Sequence, residues 1–191
     1  MRKLLGLAGS FLACALLAAG AQEAKTYPAH VLIIRHAEKP EGDSPDLSAR
    51  GKERARALRN LFKKSESRPK KLPTPDFIFA AKDSKKSHRP RETVKPLAKR
   101  LGLKVNDDYA DEDFAKLAHE LFHDPRYAGK TVLICWHHGK VPELAAKLGA
   151  DAPKHWNDKV FDRVWRIDYD KRGKGRFRDL PQQLLAGDSD K

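Results

Sequence analysis

Arg35 and His36 are the first residues of the sequence whose types suggest a chemical role. They follow the apolar segment Val31–Ile34 directly. Arginine presents a planar fork of donors that suits a phosphate or a carboxylate. Histidine can act as a base, a metal ligand or a nucleophile. The pair therefore marks a candidate site for an anionic ligand.

A second pair of polar residues, His137 and His138, follows another apolar segment, Thr131–Trp136. Apolar runs of this length are typical of strands that are buried on both faces of a parallel or mixed sheet. Ligands of α/β proteins bind at the carboxyl ends of such strands. If these two strands are neighbours, their histidines lie together at one edge of the sheet.

Arg89 adds a second arginine to this predicted site. It follows the predicted strand Asp76–Ala81 and lies in the first turn of the next predicted helix, for which Ser87 is the candidate N-cap. The free N–H groups and the dipole at the start of a helix favour an anion. We therefore expect Arg89 to contribute to an anion-binding site.

An acidic segment, residues 107–113, precedes the amphipathic pattern of Phe114 to Phe122 in an otherwise basic chain. Acidic residues suit the first turn of any helix because they interact favourably with its dipole. They can equally supply a carboxylate to the site. The sequence leaves both interpretations open.

The order of these segments predicts an α/β protein with one domain over residues 22–191. Val160 to Leu180 has the alternation and the turn of a β-hairpin, and Gln182 to Lys191 is expected to be frayed. Residues 1–21 have a basic start, a short apolar core and small residues before Gln22, which is typical of a cleaved secretory signal peptide. The sequence thus predicts export, with the bacterial periplasm as the expected location and no stable membrane insertion after cleavage.

The 191 residues carry a formal net charge of +13. This excess favours an acidic partner or substrate such as a phosphoester, a nucleic acid or an anionic envelope surface. Cys135 is the only cysteine that remains after the predicted cleavage, so no internal disulfide is available. It lies in an apolar segment and is expected to be an inert buried thiol.

Four sequence elements, in this order, resemble the histidine phosphatase superfamily, which is phosphoglycerate mutase-like. They are Arg35-His36-Ala37-Glu38 after a buried strand, Leu47-Ser48-Ala49-Arg50-Gly51 at the start of a helix, Arg89 four residues before Thr93, and His137 after a second buried strand. The resemblance extends from about Val31 to Gly149. It implies a three-layer αβα sandwich with a mostly parallel central sheet.

The resemblance also implies a metal-independent phosphomonoester hydrolase that needs no cofactor. His36 would be the nucleophile and would form a phosphohistidine intermediate. Arg35, Arg89 and His137 would surround the transferring phosphoryl group. Glu112 is the predicted proton donor, with Asp111 and Asp83 as alternatives. Residues expected to bind the phosphate or the rest of the substrate are Arg35, Glu38, Arg89, His137 and His138.

Three questions stay open at this point. The second histidine of the site is predicted to be His137, although His138 is an alternative. The same side chains would also suit a non-catalytic protein that binds a phosphorylated ligand. A zinc site or a basic nucleic-acid-binding module is less well supported, because no ligand set or binding motif of recognised spacing accompanies the histidines. We expect the partner to be a phosphorylated small molecule or an envelope phosphoester, and we expect no nucleic acid.

Overall fold

Six strands form one sheet in the computed structural model, which describes residues 27–64 and 71–189. The strands are β1 (His30–Arg35), β2 (Phe77–Ala80), β3 (Val105–Asn106), β4 (Thr131–Trp136), β5 (Arg163–Tyr169) and β6 (Gly175–Pro181). Their order across the sheet is β3-β2-β4-β1-β5-β6. The three predicted strands are therefore present, and those that end in Arg35 and Trp136 are direct neighbours.

The sheet is mixed, with a parallel half that carries the candidate site residues. β1 and β4 pair in parallel, as do β2 and β4, and β2 and β3. β5 is antiparallel to β1, and β6 is antiparallel to β5, which confirms the predicted hairpin. Because the carboxyl ends of parallel strands share one edge, β1, β2 and β4 deliver their following residues to the same place.

Helices cover both faces of the sheet. They are α1 (Ala49–Ala57), α2 (Arg89–Leu101), α3 (Phe114–His123) and α4 (Val141–Lys147), and short 3₁₀ segments span Leu58–Phe62, Asp111–Asp113 and Pro125–Tyr127. The core is divided accordingly into a cluster on the α3 and α4 side and a cluster on the α2 side. This arrangement confirms the predicted three-layer αβα sandwich.

Successive residues of the central strands alternate between the two core clusters. In β1, Val31 and Ile33 pack on the α3 and α4 side, whereas Leu32 and Ile34 pack on the α2 side, and all four are buried. Burial on both faces explains why this strand is an uninterrupted apolar run. Cys135 is buried in β4, and this burial raises the pKa of its thiol, in agreement with an inert role.

The segment after the hairpin is ordered, so the prediction of a frayed tail is wrong for residues 182–189. Gln182 is buried, and the side chain of Asp188 is only 3% exposed. Asp188 accepts hydrogen bonds from the backbone N–H groups of Leu184 and Leu185, and it pairs with Arg54 at 2.7 Å. Sequence reasoning missed this order because the buried partner of Asp188 lies more than a hundred residues earlier in the chain.

The predicted signal peptide, residues 1–21, lies outside the described residues and stays a prediction. Over residues 27–64 and 71–189, none of the helices has both the length and the apolar character that a membrane span requires.

The ion pair between Arg54 and Asp188 yields a prediction about stability. Replacing Asp188 by Asn leaves the buried Arg54 guanidinium with one carboxylate partner fewer, so we expect Asp188→Asn to lower the free energy of unfolding by about 2–3 kcal/mol. Urea denaturation followed by circular dichroism measures this loss. Asp179→Asn is the matched control, because Asp179 pairs with Arg163 at 37% exposure and should contribute less than about 0.5 kcal/mol. Equal losses in the two variants would contradict this assignment.

Candidate active site

His36 is the first residue after β1 and is only 3% exposed. Its backbone N–H donates to the carbonyl of Trp136 at the end of β4, which continues the parallel ladder by one residue. Its ring Nδ1 lies 2.7 Å from the carbonyl oxygen of Ala37. A carbonyl only accepts hydrogen bonds, so Nδ1 must carry the proton. Nε2 is thereby the nitrogen that presents a lone pair.

The surroundings of His36 keep its ring uncharged. Burial is the main cause that lowers the pKa of His36 to about 3, and the nearby Arg35, His137 and Arg89 act in the same direction. The hydrogen bond to Ala37 opposes this shift but does not outweigh it. An imidazole in this setting is neutral throughout the physiological pH range, and a neutral imidazole is the nucleophilic form.

His137 lies beside His36. The centroids of the two rings are 5.5 Å apart, and the ring planes are inclined by 69°. Nε2 of His137 is 3.1 Å from the hydroxyl oxygen of Ser87. His138 lies in the following turn, where burial and the charge of Arg35 lower its pKa. Of the two histidines, His137 is thus the one whose ring adjoins His36.

Arg35 is nearly inaccessible, with 2% exposure. Its guanidinium carbon lies 3.8 Å from the centroid of the Phe161 ring, and Nη1 donates to the carbonyls of Asp158 and Val160. Its buried Nε has no hydrogen-bond partner within the described residues. Burial lowers the pKa of Arg35 to about 10, so the side chain is still a cation at neutral pH.

Arg89 begins α2, as the sequence predicts. Its Nη1 donates to the carbonyl of Ser44 at 2.7 Å, while its buried Nε, like that of Arg35, lacks a partner among residues 27–64 and 71–189. The hydroxyl of Thr93 donates to the carbonyl of Arg89 and accepts the backbone N–H of Ala37, both at 2.8 Å. Thr93 therefore ties the start of α2 to the loop that carries His36.

Within the described residues, Arg35 and the half-buried Arg89 each keep a buried Nε–H without a hydrogen-bond partner, an arrangement that suits an anion. Buried donors are normally satisfied, and an unpaired one carries a desolvation cost. An oxyanion between the two arginines would accept both hydrogen bonds and would compensate their positive charge. Within the described part of the chain, no group of three potential metal-binding side chains occurs.

Three carboxylates were candidates for the proton donor, and the structure separates them. Oδ1 of Asp111 lies 2.9 Å from Nδ1 of His137, although the two atoms are not aligned as in a hydrogen bond. Glu112 is 75% exposed and pairs with Lys140. Asp83 pairs with Arg91. Asp111, and not the predicted Glu112, is the carboxylate beside His137.

Glu38 was expected to bind the substrate. In the structure, its carboxylate and its carbonyl instead contact Arg54 and Ser48. Its carboxylate accepts two hydrogen bonds from Nε of Arg54 at 3.1 Å and one from Nη2 at 2.8 Å. Its carbonyl accepts the backbone N–H and the hydroxyl of Ser48, the residue that caps α1. A Cβ at Gly51 would lie 2.3 Å from that carbonyl oxygen, which explains the glycine there. Glu38 thus joins the His36 loop to α1.

Several residues of this site were not predicted. Phe161 supports Arg35, Ser87 contacts His137, and Arg54 holds Glu38. Ser87 was expected to cap α2, whereas the N-cap residue is His88. An arginine or a serine inside a polar segment has no distinctive pattern, and Phe161 follows Val160 at the start of the predicted hairpin, where an apolar residue is expected in any case.

The fold is also found in solved structures. The protein histidine phosphatase SixA, in complex with tungstate, superposes with a TM-score of 0.59 and 18% identity, covering 80% of this chain and 97% of SixA. Phosphoglycerate mutase from Plasmodium falciparum superposes with a TM-score of 0.53 and 14% identity, covering 84% and 95% of the two chains. This chain has the phosphoglycerate mutase-like fold.

A mycobacterial glucosyl-3-phosphoglycerate phosphatase is a further neighbour of the same fold, with a TM-score of 0.51 and 15% identity over 83% of this chain and all of the other. No protein-family model and no curated protein sequence matches the chain. At these identities the likeness establishes the phosphoglycerate mutase-like fold, and the chemistry must be argued from the site.

The low pKa of His36 leads to a prediction about stability and pH. An unfolded histidine has a pKa near 6.5. Below that pH the histidine is protonated in the unfolded chain but stays neutral in the folded protein. The contribution of His36 to the free energy of unfolding is therefore fully present above about pH 6.5, and it is lost progressively as the pH is lowered toward 3. We expect this residue alone to cost about 2 kcal/mol between pH 7.5 and pH 5.

Urea denaturation at pH 7.5 and pH 5 measures this effect, and His36→Gln should reduce the loss by about that amount. His123→Gln, at an exposed position on α3, is the matched control and should leave the loss unchanged. A loss that is the same in wild type and in His36→Gln would contradict the burial argument.

Proposed function

We propose that this protein is a metal-independent phosphomonoester hydrolase that acts through a phosphohistidine on His36. The observation that carries the proposal is the hydrogen bond from Nδ1 of His36 to Ala37, which leaves a neutral, buried imidazole with its lone pair on Nε2. Two cationic side chains accompany it, Arg35 and Arg89, whose Nε–H groups have no partner in the part of the chain that the structure describes. A nucleophile and hydrogen-bond donors for an anion are thus present together.

In the first step, the Nε2 lone pair attacks phosphorus, and a nitrogen–phosphorus bond forms as the bond to the ester oxygen breaks. The leaving oxygen takes the electron pair of the broken bond and a proton from the carboxyl group of Asp111. Arg35, Arg89 and His137 stabilise the charge on the remaining phosphoryl oxygens. The negatively charged phosphoryl oxygens would accept hydrogen bonds from the Nε–H groups of the two arginines.

In the second step, water attacks phosphorus and restores the imidazole. The carboxylate of Asp111 removes a proton from the water, so the group that acted as an acid now acts as a base. The nitrogen–phosphorus bond breaks, and its electron pair returns to Nε2. Inorganic phosphate leaves, and every group has its initial protonation state.

The fold neighbours support this proposal. SixA is named a protein histidine phosphatase and its structure holds tungstate, an oxyanion, and the mycobacterial neighbour is named a phosphatase. The resemblance of Arg35-His36-Ala37-Glu38, Arg89 and His137 to the histidine phosphatase superfamily points in the same direction. On these grounds we infer membership of that superfamily.

The nucleophile is tested by phosphate release from 4-nitrophenyl phosphate. We expect wild type to turn over with and without EDTA, and we expect His36→Ala to lower kcat by at least about 10³-fold. Rapid quenching at alkaline pH followed by mass spectrometry should find phosphate on the peptide that contains His36. His123→Ala, on the exposed side of α3, is the control and should match wild type.

Two results would overturn this mechanism: turnover that EDTA abolishes, or turnover that survives His36→Ala. A protein that binds inorganic phosphate in isothermal titration but releases none from any ester would instead be a binding protein on this fold.

The proton donor is tested by varying the leaving group. Asp111→Asn should lower kcat for ethyl phosphate by about 10²–10³-fold, because an alkoxide cannot leave without a proton. The effect on 4-nitrophenyl phosphate should be much smaller, since 4-nitrophenolate is a stable leaving group. Glu112→Gln is the matched control, because its carboxylate is solvent-exposed and paired with Lys140. A leaving-group dependence in Glu112→Gln and not in Asp111→Asn would reverse the assignment.

A further inference from the structure

A basic cleft adjoins the candidate active site. It has a volume of about 510 Å³ and is lined by Lys39, Gly42, Asp43, Ser44, Lys85, Lys86 and Arg89. Four of these side chains are cationic and one is a carboxylate. Arg89 belongs to both places, because Thr93 joins its carbonyl to the backbone N–H of Ala37, the residue after His36, by two hydrogen bonds of 2.8 Å. The cleft therefore adjoins the loop that carries His36.

The ammonium groups of the three lysines are not paired with carboxylates of the described residues. Across residues 27–64 and 71–189, Lys39, Lys85 and Lys86 form no ion pair, whereas Lys116 and Lys140 each pair with a carboxylate. A lysine on an ordinary surface needs no partner. Three of them around one concave surface, with a single carboxylate among them, leave a concentrated positive field that attracts an anion.

The backbone that carries Lys85 and Lys86 is held in place. The two lysines form the tip of a tight turn, which Ser84 and Ser87 close by two backbone hydrogen bonds of 3.0 and 3.2 Å. The hydroxyl of Ser87 lies 3.1 Å from Nε2 of His137. The lysine turn is therefore attached directly to a side chain of the candidate active site.

The opposite wall of the cleft is connected to the same segment. Nη1 of Arg89 donates to the carbonyl of Ser44 at 2.7 Å, and the backbone N–H of His88 donates to the carbonyl of Pro45 at 2.9 Å. His88 Nδ1 lies 2.9 Å from a carboxylate oxygen of Asp46. These contacts join the loop after β1 to the loop after β2, so both walls have defined positions.

We propose that this cleft binds a second phosphate group of the substrate, and that the substrate class is bisphosphorylated small molecules. This inference rests on the proposed function, since the first phosphate is the one that reacts at His36. Lysine ammonium groups bind phosphate as point charges and donors. A volume of about 510 Å³ suits a small molecule.

Arg89 sets the spacing of the two phosphates. Because one guanidinium borders both the reaction site and the cleft, the two groups of the ligand lie on either side of a single side chain. A short linker of a few carbon atoms between the phosphates therefore suits this arrangement better than a long chain.

The test compares butane-1,4-diol bisphosphate with butane-1,4-diol monophosphate, which have the same reacting ester. We expect kcat/KM of wild type to be about tenfold higher for the bisphosphate at low ionic strength, and we expect this ratio to fall in high salt. The double variant Lys85→Ala, Lys86→Ala should reduce the ratio to about two or less. Because both compounds contain the same reacting ester, a change in the chemical step affects both kcat/KM values equally and leaves their ratio unchanged.

The matched control is the double variant Lys171→Ala, Lys174→Ala, which removes the same charge from the hairpin turn between β5 and β6. That turn lies at the opposite edge of the sheet from His36, since His30 pairs with Asp168 in register. The control should keep the wild-type ratio. A wild-type ratio near one, or a ratio that the Lys85 and Lys86 variant retains, would overturn the proposal.

Failure of the hydrolase proposal and failure of the second phosphate site give different results. The hydrolase proposal is decided by turnover of 4-nitrophenyl phosphate and its loss in His36→Ala. If wild type hydrolyses neither butanediol compound, isothermal titration with the same two ligands tests the cleft without turnover. Tighter binding of the bisphosphate by wild type than by the Lys85 and Lys86 variant would support the second phosphate site. Equal affinity of the two proteins would overturn it.

Discussion

The parallel pairing of β1 with β4 is the constraint on which the candidate active site depends. Arg35 pairs with Trp136 in register, and the backbone N–H of His36 extends the ladder to the Trp136 carbonyl. Two strands in parallel must end at the same edge, so the residues that follow them are neighbours whatever else the chain does. His36 and His137 meet for this reason. β2 pairs with the other side of β4 and brings the start of α2, with Arg89, to the same edge.

Burial and neighbouring charges then determine the protonation states of the histidine and arginine side chains at this edge. A buried imidazole surrounded by cations stays neutral, and the Ala37 carbonyl determines which nitrogen carries its proton. The arginines have the opposite property, because a buried guanidinium remains charged even when burial lowers its pKa. One arrangement thus holds an uncharged imidazole together with fixed positive charge, which is the combination that the proposed phosphoryl transfer to nitrogen uses.

The loop that carries His36 is supported from behind by residues of the surrounding helices and of the segment after the hairpin. Thr93 connects it to α2, and Glu38 connects it to Ser48 and Arg54 of the α1 region. Arg54 in turn binds Asp188, so a segment near the end of the described chain contributes to the position of a loop near its beginning. The exposed lysines of the basic cleft differ from this buried network: ammonium groups on long, flexible stems suit the attraction of an anion, whereas the buried Arg35 suits its orientation.

The sequence by itself determined β1, β2, β4 and the hairpin, the burial of β1 and β4 on both faces, and the positions of His36, His137, Arg35 and Arg89. These features follow from local patterns: apolar runs, helix starts and the polar residues that come directly after them. The αβα architecture was implied by the resemblance to the histidine phosphatase superfamily. Only the tertiary structure decided which carboxylate adjoins His137, because Asp111 and Glu112 are consecutive residues of one 3₁₀ turn and point in different directions. Burial of a polar side chain is likewise decided by its partner in space. Glu38 and the 182–189 segment owe their positions to contacts with Arg54, whose burial no local pattern of the sequence reveals.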